Sequence, residues 1–184
     1  NFLYDACCGD PNAPMPLDYY FWVIRHEQRV IVVDTCFQPA TADRRNRQMY
    51  RLPEESLRQL GVDPAQVDNL VLTHLHWDHA GNLGLFPKAT VHLQEAELRF
   101  CTGPKMAHRT VNKTYEVDDV MSALPPLFEG RMRLHTGTVE VAAGVTLHPV
   151  GGHTPGSQVV RVNTRRGWIV LASDAAHLWV NIRQ

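Results

Sequence analysis

An α/β fold, with sheets covered by helices, is what this 184-residue sequence predicts. Three observations carry that prediction. Strand and helix signals alternate through the first half of the chain. Strand signals dominate the second half. The segments Val30–Asp34 (VIVVD) and Asn69–Thr73 (NLVLT) are short continuous apolar runs, the form of buried strands. The length fits one domain over residues 1–184, with enough chain for a real core.

The elements follow in order. Asp18–Ile24 (DYYFWVI) is aromatic and β-branched and reads as a strand, its Tyr19, Tyr20, Phe21 and Trp22 alternating between core and a pocket face. The polar stretch Arg25–Arg29 is the expected hairpin turn into Val30–Asp34. Arg44, Arg45, Arg47 and Arg51 form a basic cluster. It reads as a solvated loop or helix face, with a substrate or head-group role as the alternative. Pro53–Leu60 is helical and stops at Gly61. Asp63, Pro64 and Gln66 occupy N-cap, N1 and N3 of a short second helix. Ala80-Gly81-Asn82 turns into a helix, Thr90–Leu93 is a strand and Gln94–Phe100 a helix. Cys101–Val120 has weak periodicity and is expected to be a long loop or lid. Arg131–His135 and Val145–Val150 are strands. Ser157–Asn163 and Trp168–Ser173 form a hairpin through Thr164-Arg165-Arg166-Gly167.

Composition excludes several classes. With 44% hydrophobic and 20% charged residues, the chain is neither disordered nor fibrous. No stretch reaches the ~18–20 apolar residues of a membrane helix, so no membrane partner is expected. The net charge of −1 shows no basic surplus, so no nucleic-acid partner is expected either. Cys7, Cys8, Cys36 and Cys101 make no CxxC pair, and vicinal Cys7–Cys8 do not suit a disulfide framework. They read as reduced thiols, and with no signal peptide visible the expected compartment is the cytoplasm.

The chemistry concentrates in Thr73-His74-Leu75-His76-Trp77-Asp78-His79. On an extended segment His74 and His76 project to one side, so both can reach one metal ion. Asp78 and His79 follow after the chain turns and can face a second ion. Two ions roughly 3.5–4 Å apart share a bridging hydroxide that is nucleophilic at neutral pH. His153 lies in the glycine-flanked turn GGHTPGS, and Asp174 ends an apolar strand. The other histidines, His26, His92, His108, His135 and His148, read as isolated residues away from the site. Trp77 reads as a packing or pocket-wall residue.

THLHWDHAGN, GGHTPGS and the SDAAH segment together resemble the metallo-β-lactamase-fold hydrolases, over most of the chain from Val32–Thr35 to Asp174. The resemblance implies an αββα sandwich with a two-metal site on its edge. By the same resemblance His74, His76 and His153 hold the first metal, Asp78 and His79 the second, and Asp174 bridges the two. Asp34 matches a supporting carboxylate behind the ligands. The YYFWVI strand, the VDT strand end and the spacing from His79 to His153 to Asp174 look most like the acyl-homoserine lactonase branch, associated with quorum quenching. Glyoxalase-II-type thioesterases share the same ligand positions.

Three departures stand out. The family's seventh ligand, a histidine on the second metal, lies well past the bridging aspartate. Here only His177 follows Asp174, so the chain is expected to be a fragment, incomplete at its C-terminus and, lacking an initiator Met, at its N-terminus. Cys36 stands where the family usually has glycine, either as packing or as a thiol near the metal. His177 stands where some relatives use a tyrosine to bind the lactone carbonyl, and it can donate the same hydrogen bond.

The expected function is a metal-dependent hydrolase opening an acyl lactone by attack of the bridging hydroxide. Asp78 relays the proton to the leaving alkoxide and His177 stabilises the oxyanion. Two zinc ions are the expected cofactors, with manganese, iron and cobalt suiting the same donors. The partner is a small-molecule lactone or ester, and a dimer is compatible with the sequence. The alternatives are a thioesterase or other ester hydrolase, an iron-dependent oxidoreductase and a non-catalytic metal-binding scaffold.

Overall fold

The computed structural model describes residues 17–27, 29–177 and 182. Cys7 and Cys8 lie outside the described residues. Two sheets form the body of the fold. The first comprises β1 (Trp22–His26), β2 (Arg29–Val33), β3 (Asn69–Val71), β4 (Thr90–Gln94) and β5 (Met132–His135), hydrogen-bonded in that order. The β1–β2 pair is antiparallel, while β2, β3, β4 and β5 run parallel. The second sheet is an antiparallel meander of β6 (Val139–Ala142), β7 (Val145–Pro149), β8 (Gln158–Thr164) and β9 (Gly167–Leu171).

The period-two alternation of strand side chains divides the core. On one face of the first sheet, Val32, Leu70, Val91 and Leu93 pack with Leu57 and Leu98. These last two come from helices α2 (Pro53–Gln59) and α4 (Glu95–Cys101). On the opposite face, Ile31, Val33 and Val71 pack against Val145, Leu147, Val160 and Val162 of the second sheet. The result is the α/β sandwich that the strand and helix signals call for. Among the described residues no helix is long and apolar enough to cross a membrane.

Several local expectations need correction. The first strand begins at Trp22, and Arg25, His26 and Arg29 belong to the paired strands; the turn is tighter than expected, with Glu27 at a φ of 52°. Cys101–Val120 is not one long loop. It holds a 3-10 turn at Pro104–Ala107, helix α5 (Arg109–Asn112) and the start of α6 (Val117–Ser122), followed by α7 (Leu124–Phe128). Helix α1 (Pro39–Arg44), the four-residue α3 (Trp77–Ala80) and β6 were also unexpected. All these pieces are four to six residues long, too short for a repeating apolar pattern to develop.

The basic cluster is solvent-exposed at Arg44, Arg47 and Arg51, as expected, but several of its members are also paired. Arg44 and Arg45 both pair with Glu116, at 3.0 and 2.7 Å, and the Arg45 guanidinium lies 4.7 Å from the Trp77 ring centroid. Arg47 donates to the Tyr19 hydroxyl at 2.9 Å. Nor are His92 and His135 isolated. Their rings stack 5.3 Å apart with nitrogens at 3.0 Å, and His92 also reaches Asn69 Oδ1 at 3.0 Å.

Candidate metal centre

The parallel strands β2 and β3 deliver the first site residues at their C-terminal ends, where a rigid strand gives way to loop. Asp34 follows β2 with a φ of 62° and is fully buried. Its Oδ1 accepts the Thr73 backbone N–H at 2.7 Å and its Oδ2 the Thr73 hydroxyl at 2.8 Å. The same Oδ2 lies 2.8 Å from His79 Nδ1. That bond leaves His79 Nε2 as the atom facing the centre, where it meets Asp78 Oδ2 and Asp174 Oδ1, each at 3.5 Å.

His74 and His76 emerge on one side as their spacing requires, with ring centroids 4.6 Å apart. His76 Nε2 is held by the Thr114 hydroxyl at 3.0 Å, and its Nδ1 faces His153 Nε2 at 2.9 Å. His74 Nδ1 is 3.2 Å from the Thr73 hydroxyl, while its Nε2 is buried without a hydrogen-bond partner. His153 arrives from the β7–β8 turn, where Gly151 and Gly152 both adopt positive φ, at 62° and 83°. Asp174 closes the arrangement from the segment after β9. Its Oδ2 lies 3.1 Å from His153 Nε2 and 3.8 Å from His74 Nε2, while its Oδ1 faces His79.

Two donor sets therefore share one carboxylate. His74, His76, His153 and Asp174 bring one ligand atom each within 4.8 Å of one another, and so do Asp78, His79 and Asp174. The segments meet across large separations in sequence, as a common site demands. An orphaned imidazole nitrogen inside a cluster of nitrogen and carboxylate oxygen donors fits a divalent metal ion. The protonation states of His74 and His76 agree, while His79 must give up a proton on binding a metal. Burial and the neighbouring imidazoles drive the His74 pKa well below its ordinary value, and burial beside His153 takes His76 down to about 3, so both are neutral donors. Burial also opposes charge on His79, but Asp34, Asp174 and Asp78 outweigh it and raise its pKa well above the ordinary value. Burial works against the charged Asp174, yet hydrogen bonds from His153 and His79 hold its carboxyl far below the usual range.

Two predicted residues sit differently from the rest. His177 Nε2 lies 3.1 Å from Asp174 Oδ2, the oxygen turned toward His74 and His153 rather than toward His79. It stands on the side of the four-donor set, not where the three-donor set lacks a partner. Cys36 is buried with Phe37, Ala42 and Trp77 and belongs to neither donor set. Burial, reinforced by Asp34, pushes its thiol up to about 12. Its φ of 55° lies in the left-handed region that favours glycine, so the side chain is accommodated at a strained position.

Sequence reasoning missed Thr114, which lies in the segment read as loop and carries no signal of its own. A cleft of about 620 Å³ opens nearby, lined by Tyr19, Phe37, Arg47, Met49 and Tyr50 among others, but by none of the donor residues. Tyr19 and Phe37 of its lining pack on Trp77, at ring centroid distances of 5.3 and 4.9 Å.

Comparison with known proteins points the same way as the geometry. The family model of the metallo-beta-lactamase superfamily matches residues 15–183. An N-acyl homoserine lactonase of a Bacillus species is 25% identical over 182 residues, covering 91% of this chain and 67% of the relative. A probable metallo-hydrolase of Mycobacterium bovis is 27% identical over 186 residues, covering 91% of this chain and 60% of the relative. A crystal structure of a quorum-quenching N-acyl homoserine lactone lactonase superposes with a TM-score of 0.71 at 26% identity, over 88% of this chain and 62% of that one. An N-acyl homoserine lactone hydrolase, with the product N-hexanoyl-L-homoserine bound at the catalytic metal center, gives a TM-score of 0.68 at 25% identity, over 88% of this chain and 65% of that one. The chain thus spans about two thirds of the length of the relatives it matches.

Proposed function

The chain belongs to the metallo-beta-lactamase superfamily, and from that premise we propose that it is a metal-dependent hydrolase whose substrate is a cyclic ester of the acyl-homoserine lactone type. The observation that carries the proposal is the pair of donor sets hinged on the two oxygens of Asp174. The similarity to a hydrolase that holds a ring-opened lactone at its metal centre supports the choice of substrate.

His74, His76, His153 and Asp174 would hold one ion, and Asp78, His79 and Asp174 the other. Zinc suits imidazole and carboxylate donors, as do manganese, iron and cobalt. When bound, such ions would supply polarisation of the ester carbonyl and a water acidic enough to act as a nucleophile at neutral pH. The protein's own groups do the rest. Asp34 fixes which nitrogen of His79 faces inward, and Thr114 does the same for His76. Asp78, whose side chain is only 15% exposed, is placed at the edge of the cluster to receive a proton and pass it to the alkoxide released as the ring opens. His177 is half exposed and its Nε2 is tethered to Asp174, so that nitrogen contacts a substrate carbonyl only by letting the carboxylate go.

The test is ring opening of N-hexanoyl-homoserine lactone by zinc-loaded protein, followed by proton release. The Asp78→Asn variant, assayed at saturating and measured zinc, is expected to lose ~10²–10⁴-fold in rate. A variant that keeps its metal and stays within about threefold of the parent overturns the proton-relay role. Hydrolysis of a glutathione thioester with no action on the lactone overturns the substrate class.

A further inference from the structure

Glu97, in helix α4, is fully buried, and no cation pairs with it among the described residues. A buried carboxylate without a counter-charge is costly unless hydrogen-bond donors surround it. Four neutral donors do. Oε1 accepts the Leu75 backbone N–H at 3.0 Å and the Tyr115 hydroxyl at 3.2 Å. Oε2 accepts the Thr154 hydroxyl at 2.5 Å and the Gly156 backbone N–H at 3.2 Å.

The positions of these donors matter more than their number. Leu75 sits between His74 and His76. Thr154 and Gly156 follow His153. Tyr115 follows Thr114, which holds His76 Nε2, and the Tyr115 ring packs edge-on 4.6 Å from the His76 ring. Three chain segments that carry or steady donors of the four-residue set end on one carboxylate. The packing leaves no slack. A Cβ placed on Gly156 would lie 2.2 Å from the Glu97 backbone nitrogen, so the His153 turn rests directly on the first turn of α4.

We propose that Glu97 is a positioning residue, a buried clasp that sets the His74–His76 segment against the His153 turn and so shapes the four-donor metal set. The inference rests on the metal-site reading above, since it concerns how that set is held. Glutamine at this position keeps one acceptor and turns the other into a donor. One oxygen still serves Leu75 and Tyr115, but the amide then meets the Gly156 N–H, donor against donor.

The experiment uses the full chain and two readouts. Metal-free amide hydrogen exchange in Glu97→Gln is expected to speed up at least tenfold over residues 73–76 and 151–157, with β2 and β8 unchanged. Cobalt titration of the same variant is expected to show about 10–100-fold weaker binding at the tighter site and an altered visible absorption spectrum. Thr154→Val removes a single donor and is expected to loosen residues 151–157 alone. It carries the test if Glu97→Gln does not fold. Parental exchange rates in both segments, or acceleration spread evenly through the core, overturn the clasp. A parent that takes up no cobalt, with exchange still localised as described, overturns the metal reading and leaves the clasp standing.

Discussion

Asp34 shows how much one side chain settles. Its carboxylate ties down Thr73 by two bonds and selects the His79 nitrogen that faces the centre. Asp34→Asn keeps one acceptor for Thr73 but presents an amide to His79 Nδ1. The imidazole must then accept there and carry its proton on Nε2, where no metal can bind it. Zinc titration of the parent against a chromophoric chelator is expected to show one tight event, from four donors, and one loose event, from three. In Asp34→Asn the loose event is expected to weaken a further ~10–100-fold while the tight one persists. Equal titrations in parent and variant would count against the orienting role of Asp34.

At the level of elements, the loop after β2 and the helix α3 are laced together. Thr35 N–H donates to the His79 carbonyl at 2.7 Å, Gly81 N–H to the Cys36 carbonyl at 2.8 Å, and Asn82 Nδ2 to the carbonyls of Thr35 and Phe37 at 2.8 and 2.9 Å. Gly81 is essential to that lacing, because a Cβ there would stand 2.7 Å from the Phe37 Cα and 2.9 Å from the Cys36 carbonyl oxygen. Gly81→Ala is expected to cost about 1–3 kcal/mol by overpacking, seen as a drop of roughly 2–12 °C in Tm. An unchanged Tm would show that the loop has room to move. β3, β4, α2 and the β8–β9 hairpin were legible because apolar runs, a Pro-Glu-Glu start and a Thr-Arg-Arg-Gly turn announce them. The histidine motif was legible because three histidines and a carboxylate crowd into six residues, and positions 153 and 174 because a glycine-flanked turn and a strand end there match the family resemblance. Thr114, Glu97 and the short helices between residues 101 and 128 were not. A threonine or glutamate used as a support looks like any surface residue until the fold buries it.

For the molecule as a whole, the His92–His135 stack ties the acid side of its stability to pH. Burial, then His135 and Arg133, push His92 down to about 4, and burial and Arg133 lower His135. Both folded values lie below the unfolded value of ~6.5. The unfolded chain therefore takes up protons first as the pH drops. Stability is intact above pH ~6.5 and is lost progressively as the pH falls toward 4. His74 and His76 act in the same direction in metal-free protein. Metal-free melting curves from pH 7 to 4 are expected to fall less steeply for His92→Gln than for the parent. Parallel curves would assign the acid sensitivity elsewhere.

The sequence distance between the two ends of the four-donor set sets a clock. His74 and His76 leave the ribosome together, but Asp174 follows about a hundred residues later, which at ~5–20 residues per second is roughly 5–20 s. For most of that interval His74 and His76 are the only members of their set on the unfinished chain. An open imidazole pair ranks divalent ions by intrinsic affinity, with copper first. Only after the second sheet has been made and docked do His153 and Asp174 impose a geometry on the choice. A metal taken up in those seconds meets donors that do not yet impose the finished pocket's choice.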